Sequence, residues 1–247
     1  MQSNLALKNI LAFPGKESAE DSLKRRTQGK PCEVFAIKRR EDIRALQRYF
    51  LDRKQYRNYL YTVIGVSTGL RGGDIVKLRW CDVMYPDRTY KEPQEAWVQE
   101  RKTGKFRYLV FHDDVKLAFD LYLKHAHVVP NFTDPRNPDY YIFRRLRVNS
   151  NYGDSPYVSR EAMGKVLKAA AKAVGIQYNV NTHSLRKTFG YRFYKETSDV
   201  AMLQHILNHS SPAITLRYIG ILAEDEAAAI KSLESINAFM SDDSTDD

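Results

Sequence analysis

Nearly every stretch of this chain that carries apolar residues carries them at helical spacing, and one short stretch does not. EDIRALQRYFLD places Ile43, Leu46 and Phe50 near one helical face. YRNYLYTVIGVSTGL is apolar almost all round, as a largely buried helix must be, and Gly69 ends it in the role glycine takes just past a helix. A short helix over GGDIVKLRW follows. DDVKLAFDLYLKHA has Asp113 or Asp114 as its N-cap. SREAMGKVLKAAAKAVGI opens on Ser159 and ends at Gly175, and THSLRKTFGYRFYKE and SDVAMLQHILNH are two more helices. SSPAITLRYIG has Ser211 at the N-cap, Pro212 at the first helical position and Gly220 at its close. AEDEAAAIKSLESINAFM is an alanine-rich helix with Ile230, Leu233 and Ile236 in one stripe. The exception is AWVQERKTGKFRYLVF, residues 96–111. Trp97, Val98, Tyr108, Val110 and Phe111 favour strands, and Thr103 and Gly104 lie between the two runs. This reads as a β-hairpin with KTGK at its tip. The expected fold class is therefore mainly α with a small antiparallel β-sheet (α+β).

The rest of the chain frames that domain. Residues 1–37 carry GK, KRR and QGKP clusters with little periodicity and read as a flexible basic N-terminal arm with a short helix at Leu5–Phe13. Residues 38–240 form one domain, interrupted by the proline-rich loop VVPNFTDPRNPDYY. Residues 241–247 form an acidic, disordered tail. The formal net charge is +9, and the acidic tail makes the body more basic than that total. Such a body suits a polyanion such as nucleic acid, although charge alone does not separate this from a merely basic surface. Cys32 and Cys81 are far apart and fit no metal-ligand spacing, so reduced thiols in a cytoplasmic protein are expected. No apolar run reaches membrane-spanning length, so no membrane partner is expected.

Four islands carry residues able to do chemistry: TGLRGGD around Arg71, RKTGK around Lys102, HSLRKT with His183 and Arg186, and LNHSSPAITLRYIG with His209 and Tyr218. Singly, each has a plain reading. An arginine after a helix-ending glycine is a surface arginine, a hairpin lysine is solvated, and Tyr218 is one of sixteen tyrosines. In this order, with His209 and Tyr218 flanking a helix-starting S-S-P, they resemble the tyrosine recombinase or phage integrase family over roughly residues 38–240. The resemblance maps the catalytic set onto Arg71, Lys102, His183, Arg186, His209 and Tyr218. Asp74 stands where glutamate is common, and Asn208 where glycine is usual. Asparagine tolerates a left-handed turn better than most residues.

The resemblance implies a site-specific recombinase that cleaves and rejoins double-stranded DNA through a 3′-phosphotyrosyl intermediate. The residue types suit that chemistry. Two guanidiniums grip the non-bridging oxygens and stabilise the charge that builds there. A phenol with a pKa of about 10 makes a phosphotyrosyl bond that a DNA hydroxyl can displace. Lys102 is the general acid for the leaving oxygen, chosen over Lys105 on the resemblance alone. His183 and His209 serve proton transfer at the nucleophile and donation to a phosphate oxygen, and the sequence leaves open which does which. The arginines replace a metal, so no metal or cofactor is expected, and Asp74 is expected to orient Arg71. Lys38, Arg39, Arg40, Arg144, Arg145 and Arg147 are candidates for phosphate-backbone contact, with a solvated face as the equal alternative.

Three rival readings stand beside this one: a type IB topoisomerase using a similar residue set, an inactive DNA-binding regulator on the same scaffold, and a metal hydrolase with His183 and His209 as ligands. The family resemblance also implies monomers in solution and tetramers on paired DNA sites. Only 37 residues precede the first helix of the domain, too few for the separate helical clamp that family members usually carry. DNA binding is therefore expected to be weak, modestly sequence-specific and steeply salt-dependent.

Overall fold

The computed structural model describes residues 34–100, 104–129, 132–145 and 156–232. In chain order its elements are α1 (Arg40–Asp52), α2 (Tyr56–Thr68), a one-turn α3 (Gly72–Ile75), β1 (Trp97–Gln99), β2 (Phe106–Tyr108), α4 (Asp113–Lys124), α5 (Arg160–Ala173), α6 (Thr182–Thr197), α7 (Val200–Leu207), α8 (Pro212–Ile219) and α9 (Ile221–Lys231). Short 3-10 turns lie at Trp80–Asp82 and Ala126–Val128. Mainly helical structure with one two-stranded antiparallel sheet is the expected fold class. The expected helix at Leu5–Phe13, Leu233, Ile236 and the acidic tail lie outside the described residues. No helix among those described is long and apolar enough to cross a membrane.

The apolar-all-round segment becomes the central helix. Leu60, Tyr61, Val63, Ile64 and Val66 of α2 are all buried, and α2 packs on α1, α4 and α6. Trp80, Phe119, Tyr122 and Phe143 fill the same core, and the Trp80 indole N–H donates to Thr133 Oγ1 at 2.9 Å. A smaller apolar cluster, Leu203, Leu207, Ile219 and Ile221, joins α7, α8 and α9, with Phe189, Phe193 and Tyr218 packed against it. Residues 34–37, expected as the end of the arm, are fixed to the domain. Ala36 and Ile37 are buried, and the Ile37 amide donates to Thr188 Oγ1 at 2.7 Å.

Several boundaries differ from the sequence reading for local reasons. The helix in GGDIVKLRW stops at Ile75 because the chain beyond it pairs with residues 140–142. Ile142 N donates to Leu78 O at 2.9 Å, and Trp80 N to Tyr140 O at 3.2 Å. The N-cap of α4 is His112, with extended backbone, so Asp113 and Asp114 lie inside the first turn, where they complement the helix dipole rather than cap it. Among the described residues the strand register is Trp97↔Tyr108, Val98↔Arg107 and Gln99↔Phe106. Its outer face is aromatic, with Trp97 and Tyr108 ring centroids 4.6 Å apart. The last helix starts at Ile221, directly after Gly220 in the left-handed conformation.

The end of α2 is built for a tight crossing. Gly69 has φ +63°, and a Cβ there would also strike the Phe189 ring. At Gly72 a Cβ would lie 2.6 Å from both Thr182 Cβ and Tyr61 Oη, so α3 lies hard against the start of α6. Gly72→Ala is expected to destabilise the fold by about 1–3 kcal/mol through overpacking, seen as a fall of several degrees in Tm. An unchanged Tm would mean that the crossing is looser than the structure shows.

Candidate active site

Three chain ends converge on one buried charge cluster. The first is the end of α2. Gly69 turns the chain, and Arg71 follows at the N-cap of α3 with extended backbone. The second is the end of α7. Its last residue, Leu207, is followed by Asn208 at φ +52°, the left-handed turn for which asparagine substitutes for glycine. The third is the end of β1, where Glu100 begins the hairpin tip. Glu100 N donates to Lys105 O at 2.9 Å, and Gly104 N to Glu100 O at 2.8 Å.

Arg186 of α6 ties these ends together. It is 2% exposed. Its Nη1 donates to Gly69 O at 2.5 Å and its Nη2 to Leu207 O at 2.6 Å. Both acceptors are carbonyls at helix C-termini, where the helix leaves unpaired oxygens and partial negative charge. Arg107 of β2 donates to Thr68 O at the same end of α2. Burial holds its guanidinium down to about 10, with the charge of Arg186 acting the same way.

Sequence reasoning missed the acid of this cluster. Glu100 is 1% exposed, and its Oε2 lies 2.5 Å from Arg71 Nη1 while its Oε1 lies 3.7 Å from Arg186 Nη1. Asn208 Nδ2 also donates to Glu100 Oε2 at 3.2 Å. Burial pushes the Glu100 carboxyl up, but hydrogen bonds from Arg71 and Asn208 and the nearby arginine charges outweigh it and leave the group below its ordinary value. Arg71 was expected to be oriented by Asp74; the structure puts Glu100 on its guanidinium instead. Asp74 is buried in the first turn of α3, its amide bonded to Arg71 O at 2.8 Å.

Tyr218 lies on α8, one residue before Ile219 of the smaller apolar cluster. The helix opens as expected, with Ser211 Oγ accepting from Ile214 N at 3.3 Å and Pro212 in its first turn. Burial pushes the Tyr218 phenol up, while the charges of Arg186 and Arg71 and a hydrogen bond from Arg186 pull it down. His209 meets the Tyr218 ring edge to face at 5.0 Å, and Lys187 Nζ lies 5.2 Å from the centre of that ring. Burial, then the Arg186 and Arg71 charges, hold the His209 imidazole down to about 4, so it is neutral at neutral pH. Its Nδ1 lies 3.1 Å from Thr215 Oγ1, which itself donates to Ser211 O at 3.2 Å. The single Thr215 hydroxyl proton can serve either Ser211 O or His209 Nδ1, so this contact couples the His209 tautomer to the Thr215 rotor.

His183 stands on the rim at the start of α6. An Asn181 and Ser184 capping box, unread in the sequence, fixes this turn, and His183 N donates to Asn181 Oδ1 at 2.8 Å. Desolvation, then the charges of Arg160, Arg186, Lys187 and Arg71, hold its imidazole below the ordinary value. A cleft of about 670 Å³ opens beside it, lined by Arg71, Gly73, Lys77, Ser159, Arg160 and His183. The structure thus gathers Arg71, Arg186, His209 and Tyr218, with His183 at the edge of the cleft. Lys102 lies outside the described residues. Its rival Lys105 donates to Asn208 Oδ1 at 2.9 Å.

The other basic candidates are spread out. Arg40 pairs with Glu196 at 3.0 Å, Arg39 approaches Glu41 at 3.8 Å, and Lys38 sits over the Tyr191 ring at 5.1 Å. Arg144 lies over the Tyr140 ring at 5.9 Å, and Arg145 N donates to Pro156 O at 3.3 Å. Arg147 lies outside the described residues.

The pattern of the phage integrase family matches residues 39–224. Over 198 residues the chain is 35% identical to YoeC of Bacillus subtilis (strain 168), named a probable integrase/recombinase, covering 80% of this chain and 96% of that one. It is 24% identical over 153 residues to tyrosine recombinase XerD of Rickettsia conorii (strain ATCC VR-613 / Malish 7), covering 62% of this chain and 48% of the relative. The chain thus spans about half the length of that relative. Its fold is similar to that of XerA recombinase, with a TM-score of 0.57 and 21% identity over 83% of this chain and 67% of that one. It is similar as well to lambda integrase in a dimer bound to a COC′ core site, with a TM-score of 0.54 and 16% identity over 91% of this chain and 57% of that one. The family match runs from α1 through α8, and the chain belongs to the phage integrase family of tyrosine-type site-specific recombinases.

Proposed function

We propose that this chain cleaves and rejoins double-stranded DNA by a metal-independent transesterification in which Tyr218 is the nucleophile. The observation that carries the reading is the convergence of Arg71 and Arg186 on the buried Glu100 carboxylate, at 2.5 and 3.7 Å, with the charges of both arginines acting on the Tyr218 phenol. A phosphate drawn to the guanidiniums is thereby brought to the nucleophile, and their charges oppose the upward push of burial on the phenol. The Tyr218 oxygen attacks phosphorus, the bond to the 5′-oxygen breaks, and a 3′-phosphotyrosyl bond forms. Arg71 and Arg186 stabilise the charge on the non-bridging oxygens. Lys102 protonates the departing 5′-oxygen. His209, neutral at neutral pH, and His183 at the rim of the cleft carry the remaining proton traffic, including the proton leaving Tyr218. Reversal with a different 5′-hydroxyl completes strand exchange.

Assembly on paired DNA sites belongs to the same reading. Ile230 of α9 is 67% exposed, so it does not cover the core of its own domain. A groove of about 500 Å³ runs between the hairpin and α6–α7, lined by Phe106, Tyr108, Val110, Phe189, Phe193 and Ile206. Phe106, Tyr108 and Val110 are all more than half exposed. The C-terminal helix of a neighbouring copy is its occupant in a DNA-bound tetramer, the assembly named for lambda integrase on a Holliday junction. In sequence, the N-terminal arm precedes and the acidic tail follows the 38–240 catalytic domain, which acts in the cytoplasm or at the nucleoid.

The test of function is strand exchange between two DNA sites in the presence of EDTA. Recombinant product is expected, with Arg71→Ala and Arg186→Ala each slowing cleavage by about 10² or more. Relaxation of supercoils without exchange would favour a topoisomerase, and loss of activity in EDTA would require a metal. A second expectation concerns His209. Its imidazole signals should titrate with a midpoint near 4 in the DNA-free protein and move upward when a duplex phosphate binds. An ordinary midpoint in the free protein would contradict the burial described here.

A further inference from the structure

Two guanidiniums that must meet at one phosphate repel each other before that phosphate arrives. Arg186 is held by two carbonyls, those of Gly69 and Leu207. Arg71 is placed differently. It stands at the N-cap of a one-turn helix with its side chain 19% exposed, and the group gripping its guanidinium is the Glu100 carboxylate at 2.5 Å. The same carboxylate faces Arg186 Nη1 at 3.7 Å and accepts from Asn208 Nδ2 at 3.2 Å. One buried acid therefore spans Arg71 and Arg186, the residue before His209, and the strand that leads into the hairpin tip.

We infer that Glu100 is a positioning residue for strand cleavage, holding Arg71 beside Arg186 in the orientation that meets the scissile phosphate. The inference rests on the recombinase reading of this site. A carboxylate suits the task for two reasons. Its charge offsets the repulsion between the guanidiniums, and its fork can hold one arginine on each side. Glutamate reaches both from the end of β1; aspartate is one methylene too short to do so. Glutamine keeps the length and an acceptor oxygen but supplies no charge. Because Glu100 opposes the positive field that attracts DNA, its neutralisation should leave binding intact or tighten it while misplacing Arg71. Binding and cleavage should thus separate, which loss of a merely structural ion pair would not produce.

The experiment compares the wild-type chain, E100Q and E100D for affinity to an intact duplex and for single-turnover cleavage of a nicked suicide duplex. Cleavage should fall by about 10² in both variants, the size expected for a misplaced catalytic group. Affinity should hold in E100D and hold or rise in E100Q. Replacing the leaving 5′-oxygen by sulfur should not rescue either variant, because the defect lies at the arginines. Wild-type cleavage rates in the variants, a parallel loss of binding, or rescue by sulfur would each overturn the role given to Glu100. If the wild-type chain itself forms no covalent adduct, the recombinase reading fails, and the hold on Arg71 is still read in the DNA-free protein. The Arg71 Nη–H NMR signals, on the side bonded to Glu100, should be protected from exchange in wild type and lose that protection in both variants. Unchanged protection would overturn the inference on its own.

Discussion

A buried guanidinium is the constraint around which the rest of this structure is arranged. Arg186 is 2% exposed and cannot be left without partners, since an uncompensated buried charge costs several kcal/mol. Its partners are the carbonyls of Gly69 and Leu207 and the nearby carboxylate of Glu100. Satisfying one side chain thus fixes the ends of α2, α7 and β1 relative to α6. The residues just beyond those ends are Arg71, Asn208 and His209, and the hairpin tip. The packing requirement of Arg186 and the assembly of the site are one and the same event.

The same arrangement sets the charge states. The phenol of Tyr218 is pushed up by burial and drawn back by the arginines, while those arginines help to keep His209 neutral. Glu100 stays ionised against its burial because the cluster would otherwise carry unopposed positive charge. Under the proposed reaction, a phosphate would meet Arg71 and Arg186 already held by Glu100 and the helix-end carbonyls, so little reorganisation would be needed as negative charge develops in the transition state.

Much of this was legible in the sequence because it is written locally. Gly69 and Gly220 end their helices in the left-handed conformation, and Ser159 and Ser211 cap theirs, as their residue types require. The spacing of His209, Ser211, Pro212 and Tyr218 depends on one short turn and one short helix, so it carries over directly. Glu100 was not legible. In the run QERK it is one polar residue among four, and only the long-range approach of α2 and α6 buries it. Arg107 was hidden for the same reason, since β2 alternation does not reveal that its inner face meets a helix C-terminus. Misreadings such as Asp113 or Asp114 as the α4 N-cap arose where two adjacent residues of similar propensity compete and backbone conformation at His112 decides.

The central claim is that the cluster built around Arg186 exists to present a phosphate to the Tyr218 hydroxyl. The most direct measurement is peptide mapping of the covalent adduct trapped on a nicked suicide duplex, beside the Tyr218→Phe protein, which loses only the hydroxyl while its ring still packs against His209. The account predicts a DNA-linked peptide containing Tyr218 in the wild-type chain, and no adduct with near-normal DNA binding in Tyr218→Phe. A DNA-linked peptide centred on any other residue, or an adduct that persists in Tyr218→Phe, would contradict it.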